Sequence, residues 1–157
     1  DFTVEMLRLA REKTAGQQQA PVSYHAADAL NLPLADQSVD VISIAFGIRN
    51  VTDAPAAMAE FYRVLRPGGR VIVLEFGLPR QRLLRAGYNF YFNHVLPRTA
   101  SLIARDRTGA YKYLPRSVNT FLDRPAMEAA LSEAGFADIT SRALTFGIAI
   151  CYRGIKK

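Results

Sequence analysis

The 157 residues carry 20 Lys and Arg against 14 Asp and Glu, a formal charge of +6, and half of them are hydrophobic, which suits one soluble domain around one core and excludes a disordered or fibrous chain. The longest uncharged apolar stretches, 71–74 and 146–152, are strand-sized and far short of the roughly 20 residues that span a bilayer, and the opening DFTVEMLRLAREK lacks the apolar centre of a secretory signal. A single cysteine, Cys151, excludes an internal disulfide and fits a reducing compartment.

In chain order, Phe2 to Lys13 places Met6, Leu7 and Ala10 at helical spacing behind Thr3 as a cap, which predicts a helix. Gly16 and the glutamine run read as a loop, Val22 to Ala27 as a strand, 28–38 as a loop broken at Pro33, and Val39 to Phe46 as the next strand. Ala54 to Leu65 has a 3.6-residue apolar period and stops at Pro67-Gly68-Gly69, a turn followed by the strand Arg70 to Phe76. Leu83 to Ala104 is a long apolar and aromatic helical stretch interrupted by Pro97, and Arg124 to Ala134 is a helix closing on Gly135. Ile139 to Ala143 and Thr145 to Tyr152 read as two tightly joined strands, the antiparallel end of the sheet.

This alternation predicts an α/β fold of the Rossmann type: a mostly parallel sheet with an antiparallel terminal strand and helices on both faces. No repeat or linker divides residues 1–157, so they form a single domain. Within it, 80–124 is a helical, basic segment with nine Lys and Arg against Asp106 and Asp123. A solvated face, anionic lipid and nucleic acid all suit such charge, but no RNA-binding signature accompanies it. No metal-ligand pattern is present.

Two constellations carry chemistry. In DALNLPLADQSVDVISIAFGIRNV, residues 28–51, Asp28 ends one strand and Asp40 begins the next. Ligands of open α/β sheets bind beyond the carboxyl ends of strands, so Asp28 either accepts from an adenine amino group or caps its own loop. In RVLRPGGRVIVLEFGLP, residues 63–79, a helix end, a Gly-Gly turn and a strand closing on Glu75 follow one another. Together these steps resemble the class I S-adenosylmethionine-dependent methyltransferases. The runs FGIRNV, EFYRVLRPGGRVIVLEF, NHVLPR, YKYLPRSV and EAGF narrow the resemblance, over essentially the whole chain, to the UbiE/MenG C-methyltransferases of ubiquinone and menaquinone biosynthesis. Arg66 stands where that family usually has Lys, and Gly77 where it usually has Ser.

The family's Gly-rich loop after its first strand has no counterpart here, so the chain is expected to begin partway through the domain, with N-terminal strands missing. The strand Val39 to Phe46 would then keep an unpaired edge, which invites a homo-oligomer or a loss of ligand binding. The resemblance implies S-adenosylmethionine as cofactor, held by Asp1 at the ribose hydroxyls and by Asp28, Ala29 and Ala45. It implies a prenylated quinol as substrate, with Arg49 stabilising the phenolate and acting through water, and Asn50 holding the water or ring oxygen. The bland alternatives are an acid partner for Arg49 and a helix cap at Asn50. His94 is either a further acid-base group or a packing residue, and His25 is expected to be structural.

Tyr88, Phe90, Tyr91 and Phe92 would wall a quinone ring and tail, or pack a core. Arg82, Arg85, Arg98, Arg105 and Arg107 would hold a cytoplasmic protein in peripheral contact with the inner face of a membrane. Another small-molecule methyltransferase and a non-catalytic partner protein are the competing readings.

Overall fold

The structure is a computed structural model that describes residues 3–16, 21–79, 81–95, 113 and 117–157. The elements in order are α1 (Val4–Thr14), β1 (Val39–Ala45), a 3-10 turn (Ile48–Asn50), α2 (Ala54–Val64), β2 (Leu65–Phe76), α3 (Arg82–Phe90), a π-helical turn (Tyr91–Val95), α4 (Arg124–Glu133), β3 (Ala137–Leu144), a second 3-10 turn (Thr145–Gly147) and β4 (Ala149–Ile155).

The four strands form one sheet in the order β1-β2-β4-β3. β1 runs parallel to β2, with Val41 opposite Arg70 and Ala45 opposite Leu74, and β4 runs antiparallel to both β2 and β3. The expected mixed sheet with an antiparallel end is therefore present, but among the described strands one pairing is parallel and two are antiparallel, so it is not mostly parallel. α2 begins at Asp53, whose Oδ1 accepts from Ala56 N, with a proline in its first turn, and α4 begins in the same way on Asp123. Both pack on the face that carries Val71, Val73, Ile150 and Tyr152, and Met58, Phe61, Met127 and Leu131 fill the space between. Burying each such side chain favours folding by roughly 1.5–3 kcal/mol.

Four expectations change. Residues 22–27 form no strand: they are mostly exposed, the neighbouring Asp28 makes only an isolated bridge to Asn31, and extended backbone becomes a strand only beside a hydrogen-bonded partner. The Pro67-Gly68-Gly69 turn lies inside β2, because the ladder slips between Val39 opposite Leu65 and Val41 opposite Arg70. Gly68 takes the positive φ of 81° that this bulge needs, and its N–H donates to Lys156 O at 2.7 Å. Thr145 belongs to the second 3-10 turn rather than to β4. The second helical layer does not form among the described elements: α1 buries no residue, and Val41, Ser43 and Ala45 on the opposite face of β1 are exposed. The stretch predicted from Leu83 to Ala104 is helical from Arg82 to Val95, and its remainder lies outside the described residues.

The loop 28–38 is held down by a pair on α2. Arg63 Nε and Nη2 each approach Glu60 at 2.7 Å, Leu32 N donates to Glu60 Oε1 at 2.7 Å, and Arg63 also reaches Asp36, Leu34 O and Leu32 O. The hydrogen bonds from Arg63 hold the Glu60 carboxyl below its ordinary value, against the effect of its burial.

Candidate functional site

β1 and β2 end side by side at Ala45 and Phe76, and the 3-10 turn Ile48–Asn50 folds back over them. Ile48 is fully buried and anchors that turn, so the next residue, Arg49, leans over the end of β2. Glu75 meets it there. Alternation along β2 puts Glu75 on the core face with Val71 and Val73, opposite Ile150 of β4, and only 1% of its side chain is exposed. Arg49 Nη1 donates to Glu75 Oε1 at 3.0 Å, Arg49 N to Oε2 at 3.3 Å, and Phe76 N to Oε1 at 2.8 Å. A buried carboxylate needs such company.

Arg49 is held from three further sides. Nη1 also donates to Phe46 O, Nε donates to Ser117 Oγ at 3.4 Å, and the guanidinium lies 5.2 Å from the centre of the Phe76 ring. Its side chain is only 10% exposed. Of the five guanidinium N–H groups, those on Nη1 and Nε are engaged, and the two on Nη2 have no partner among the described residues. Phe46 sits at a φ of 54°, a left-handed conformation that is costly for a bulky side chain. Its ring lies against Phe76 with centroids 4.6 Å apart. Asn50 is exposed, and its Oδ1 accepts from Tyr113 OH at 3.0 Å. It does not cap α2, since Asp53 does.

A cavity of about 540 Å³ opens on the far side of Phe76, with Leu84, Arg85, Phe121, Phe146 and Tyr152 among its walls. Burial, followed by the nearby Glu128 charge, pushes the Tyr152 hydroxyl up to about 12, so that wall offers a neutral donor rather than a base. Gly77 also lines it. A Cβ at Gly77 would lie 2.7 Å from Ile150 Cδ1 and 2.9 Å from Gly147 O, so the serine usual at this position has no room here.

Of the residues singled out by sequence, Arg49 and Asn50 come together at the strand ends. His94 stands on the exposed π-helical turn, its ring 5.4 Å from that of Phe90, and makes no hydrogen bond to either of them. Asp28 caps its own loop: Oδ1 accepts from Leu30 N at 3.0 Å and its carbonyl accepts from Asn31 N. It also lines an open depression of about 460 Å³ with Ala26, Ala27, Asn31 and Pro33. Ala29 packs against the core, and Ala45 is exposed at the end of β1. Asp1 lies outside the described residues, as do Arg98, Arg105 and Arg107. Sequence reasoning assigned no role to Ser117 or Tyr113. Both stand in or beside the quoted run YKYLPRSV, but nothing in its spacing shows that it returns to a turn more than sixty residues earlier.

Comparisons with known proteins bear on the family and the fold. The model of the ubiE/COQ5 methyltransferase family matches residues 1–156. The chain is 43% identical over 157 residues to the ubiquinone/menaquinone biosynthesis C-methyltransferase UbiE of Geobacter sulfurreducens, covering 99% of this chain and 60% of that protein. It is 44% identical to the demethylmenaquinone methyltransferase of Deinococcus radiodurans, covering 100% of this chain and 64% of that one. The chain thus spans less than two thirds of the length of these relatives. Among solved structures, a SAM-dependent methyltransferase from Aquifex aeolicus superposes with a TM-score of 0.66 at 16% identity, covering 100% of this chain and 66% of that one. Phosphoethanolamine N-methyltransferase 2 of Haemonchus contortus, in complex with S-adenosyl-L-methionine, gives 0.70 at 15%, covering 99% and 42%. At such identities the structures establish the shared Rossmann-like fold, and the family match over nearly every residue adds descent: the chain belongs to the ubiE/COQ5 methyltransferase family.

Proposed function

We propose that the whole protein transfers a methyl group from S-adenosylmethionine to a ring carbon of a prenylated quinol, either a demethylmenaquinol or a 2-polyprenyl-6-methoxy-1,4-benzoquinol. Family membership and the activities named for its relatives support this reading. The observation that carries it is Arg49, a nearly buried cation clamped at the ends of β1 and β2, whose two Nη2 donors have no partner among the described residues, with Asn50 beside it.

The residues present fit the cofactor. Asp28 Oδ2 has no partner among the described residues and borders an open depression whose walls include two alanines, a setting that suits a flat ring bearing an amino donor. Asp28, Ala29 and Ala45, with Asp1 at the ribose, would hold the group, which supplies an electrophilic methyl when bound.

The chain's own residues must make a ring carbon nucleophilic and keep it aligned. Loss of a proton from a quinol hydroxyl does the first, because the phenolate pushes electron density into the ring. Arg49 does not take that proton, since a guanidinium stays charged at any working pH. It stabilises the oxyanion as it forms: with Nη1 and Nε fixed by Glu75, Phe46 O and Ser117, the Nη2 donors need no reorganisation. Asn50, tied to Tyr113, holds the water that receives the proton or the ring oxygen itself. The cavity beyond Phe76, where Leu84, Phe121 and Phe146 stand among polar neighbours, would take part of the tail. The test is incubation of the whole protein with methyl-labelled S-adenosylmethionine and each demethylated quinol. Label in the ring of one of them is expected, and label in neither removes the reading.

A further inference from the structure

The depression beside Asp28 is carried by a loop, and that loop hangs from two side chains of α2. Asn31 and Pro33, which line the depression with Asp28, stand on either side of Leu32, and the backbone of Leu32 is gripped twice: its N–H donates to Glu60 Oε1, and its carbonyl accepts from Arg63 Nη2. Beyond Pro33, Arg63 Nη1 donates to Leu34 O and to Asp36. Asp28 is joined to this anchored stretch by bonds of its own, Leu30 N to Oδ1 at 3.0 Å and Asn31 N to the carbonyl at 3.1 Å. Before Asp28, residues 22–27 pair with no strand among the described residues, so the carboxylate takes its place from the α2 side. A binding group on a loop is only as precise as the residues that lock the loop. Glu60 is more than a surface ion-pair partner: its side chain is 11% exposed, and its two oxygens are divided between Arg63 and the loop backbone.

We propose that Glu60, braced by Arg63, is a positioning residue for the adenine of S-adenosylmethionine: it acts through Leu32 to hold the Asp28 carboxylate where the amino group arrives. This role rests on the adenine reading of Asp28 and is independent of which quinol is methylated. Neither the Glu60 nor the Arg63 side chain bonds to Arg49 or Asn50 among the described residues, so the effect of Glu60 falls on cofactor affinity rather than on the chemical step. Glu60→Gln keeps the size of the side chain, but an amide presents one acceptor oxygen where the carboxylate presents two, so Leu32 N and Arg63 compete for it and the loop loses its fixed support.

The test is calorimetry of S-adenosylmethionine binding to the whole protein, without quinol, for wild type, Glu60→Gln, Asp28→Ala and the double variant. Glu60→Gln is expected to weaken binding about five- to tenfold, and by no more than Asp28→Ala does, because it works through that carboxylate. The double variant should match Asp28→Ala within about a factor of two, since without the carboxylate nothing is left to position. In turnover the KM for cofactor should rise while the rate at saturating cofactor stays that of wild type. Should Glu60→Gln melt early, Arg63→Lys replaces it, an ammonium lacking the fork that reaches Glu60, Asp36 and two carbonyls. Losses that add in the double variant, as a merely structural Glu60 would give, overturn the inference, and so does wild-type affinity in Glu60→Gln beside weak binding in Asp28→Ala. Wild-type affinity in Asp28→Ala removes the adenine from this loop and the inference with it. A protein that shows the expected affinities but methylates neither quinol keeps the positioning role and loses the quinol reading.

Discussion

Glu75 is the residue whose removal the structure punishes most. In Glu75→Ala the Arg49 guanidinium loses its counter-ion while its side chain remains only 10% exposed, and two backbone N–H groups, of Arg49 and Phe76, lose their acceptor. Removing one partner of a buried pair costs about 3–5 kcal/mol. Glu75→Gln keeps the shape and one acceptor oxygen but loses the charge, so its cost is the ~1.5–3 kcal/mol of a charge-assisted hydrogen bond. Replacing both partners, Arg49→Met with Glu75→Leu, removes the stranded charge and should be more stable than Glu75→Leu alone by roughly 2 kcal/mol or more. Stability would be read from urea midpoints of the whole protein at pH 7 with unchanged slopes. The order wild type, double variant, single variant supports a buried pair that is coupled in the fold. Additive losses, or a Glu75→Ala within about 0.5 kcal/mol of wild type, the range of an ordinary surface substitution, would refute it.

Arg49→Ala should lower single-turnover methylation about 100–1,000-fold, the usual effect of losing one preorganised donor, and leave cofactor affinity nearly unchanged; Arg49→Lys should recover only part, because an ammonium lacks the planar fork. A rate within threefold of wild type would confine Arg49 to a structural role. Asp28→Ala should weaken cofactor binding by ~1–3 kcal/mol, as measured by calorimetry on the whole protein. Gly77→Ser should lower stability by about 1–3 kcal/mol, since its Cβ meets the Gly147 carbonyl as well as Ile150; an unchanged melting temperature would contradict the close contact. Glu60 has its pKa lowered on folding, so its charged form stabilises above the ordinary value of 4.5, and that stability is lost as pH falls through the lowered folded value. The gap between wild type and Glu60→Gln should be about 1–2 kcal/mol at pH 7 and close in acid; a gap that is constant with pH would remove the carboxylate from the account.

How much of this was legible depended on the range of the interaction. The helix starts at Asp53 and Asp123 are local, an acid followed by a proline within the next two residues, and the apolar periods of α2 and β2 are local too. Alternation along β2 also puts Glu75 on the core face, and the family resemblance singled out Arg49 and Asn50. That Arg49 has an acid partner was one of the readings the sequence offered, and the structure bears it out at Glu75; the rest of what holds the turn was not legible. Glu75 meets Arg49 across the gap between strand and turn, Ser117 and Tyr113 arrive from the far end of the basic segment 80–124, and only the folded chain brings them together. Val22 to Ala27 failed for the opposite reason: its composition suits a strand, but strand formation is a property of pairs, and among the described residues it touches α1 through Tyr24 and pairs with no strand.

Phe46 shows what the turn demands of the backbone. A left-handed conformation at a bulky residue has an energetic cost of order 1–3 kcal/mol, and the Phe46 carbonyl that accepts from Arg49 belongs to this strained residue. Glycine would adopt the same φ with ease, but it would surrender the ring that lies against Phe76 and, with it, part of the wall beneath the guanidinium. Directed evolution for heat resistance alone would therefore be drawn to this position, and the variants it selected would hold their shape longer while aiming their arginine less well.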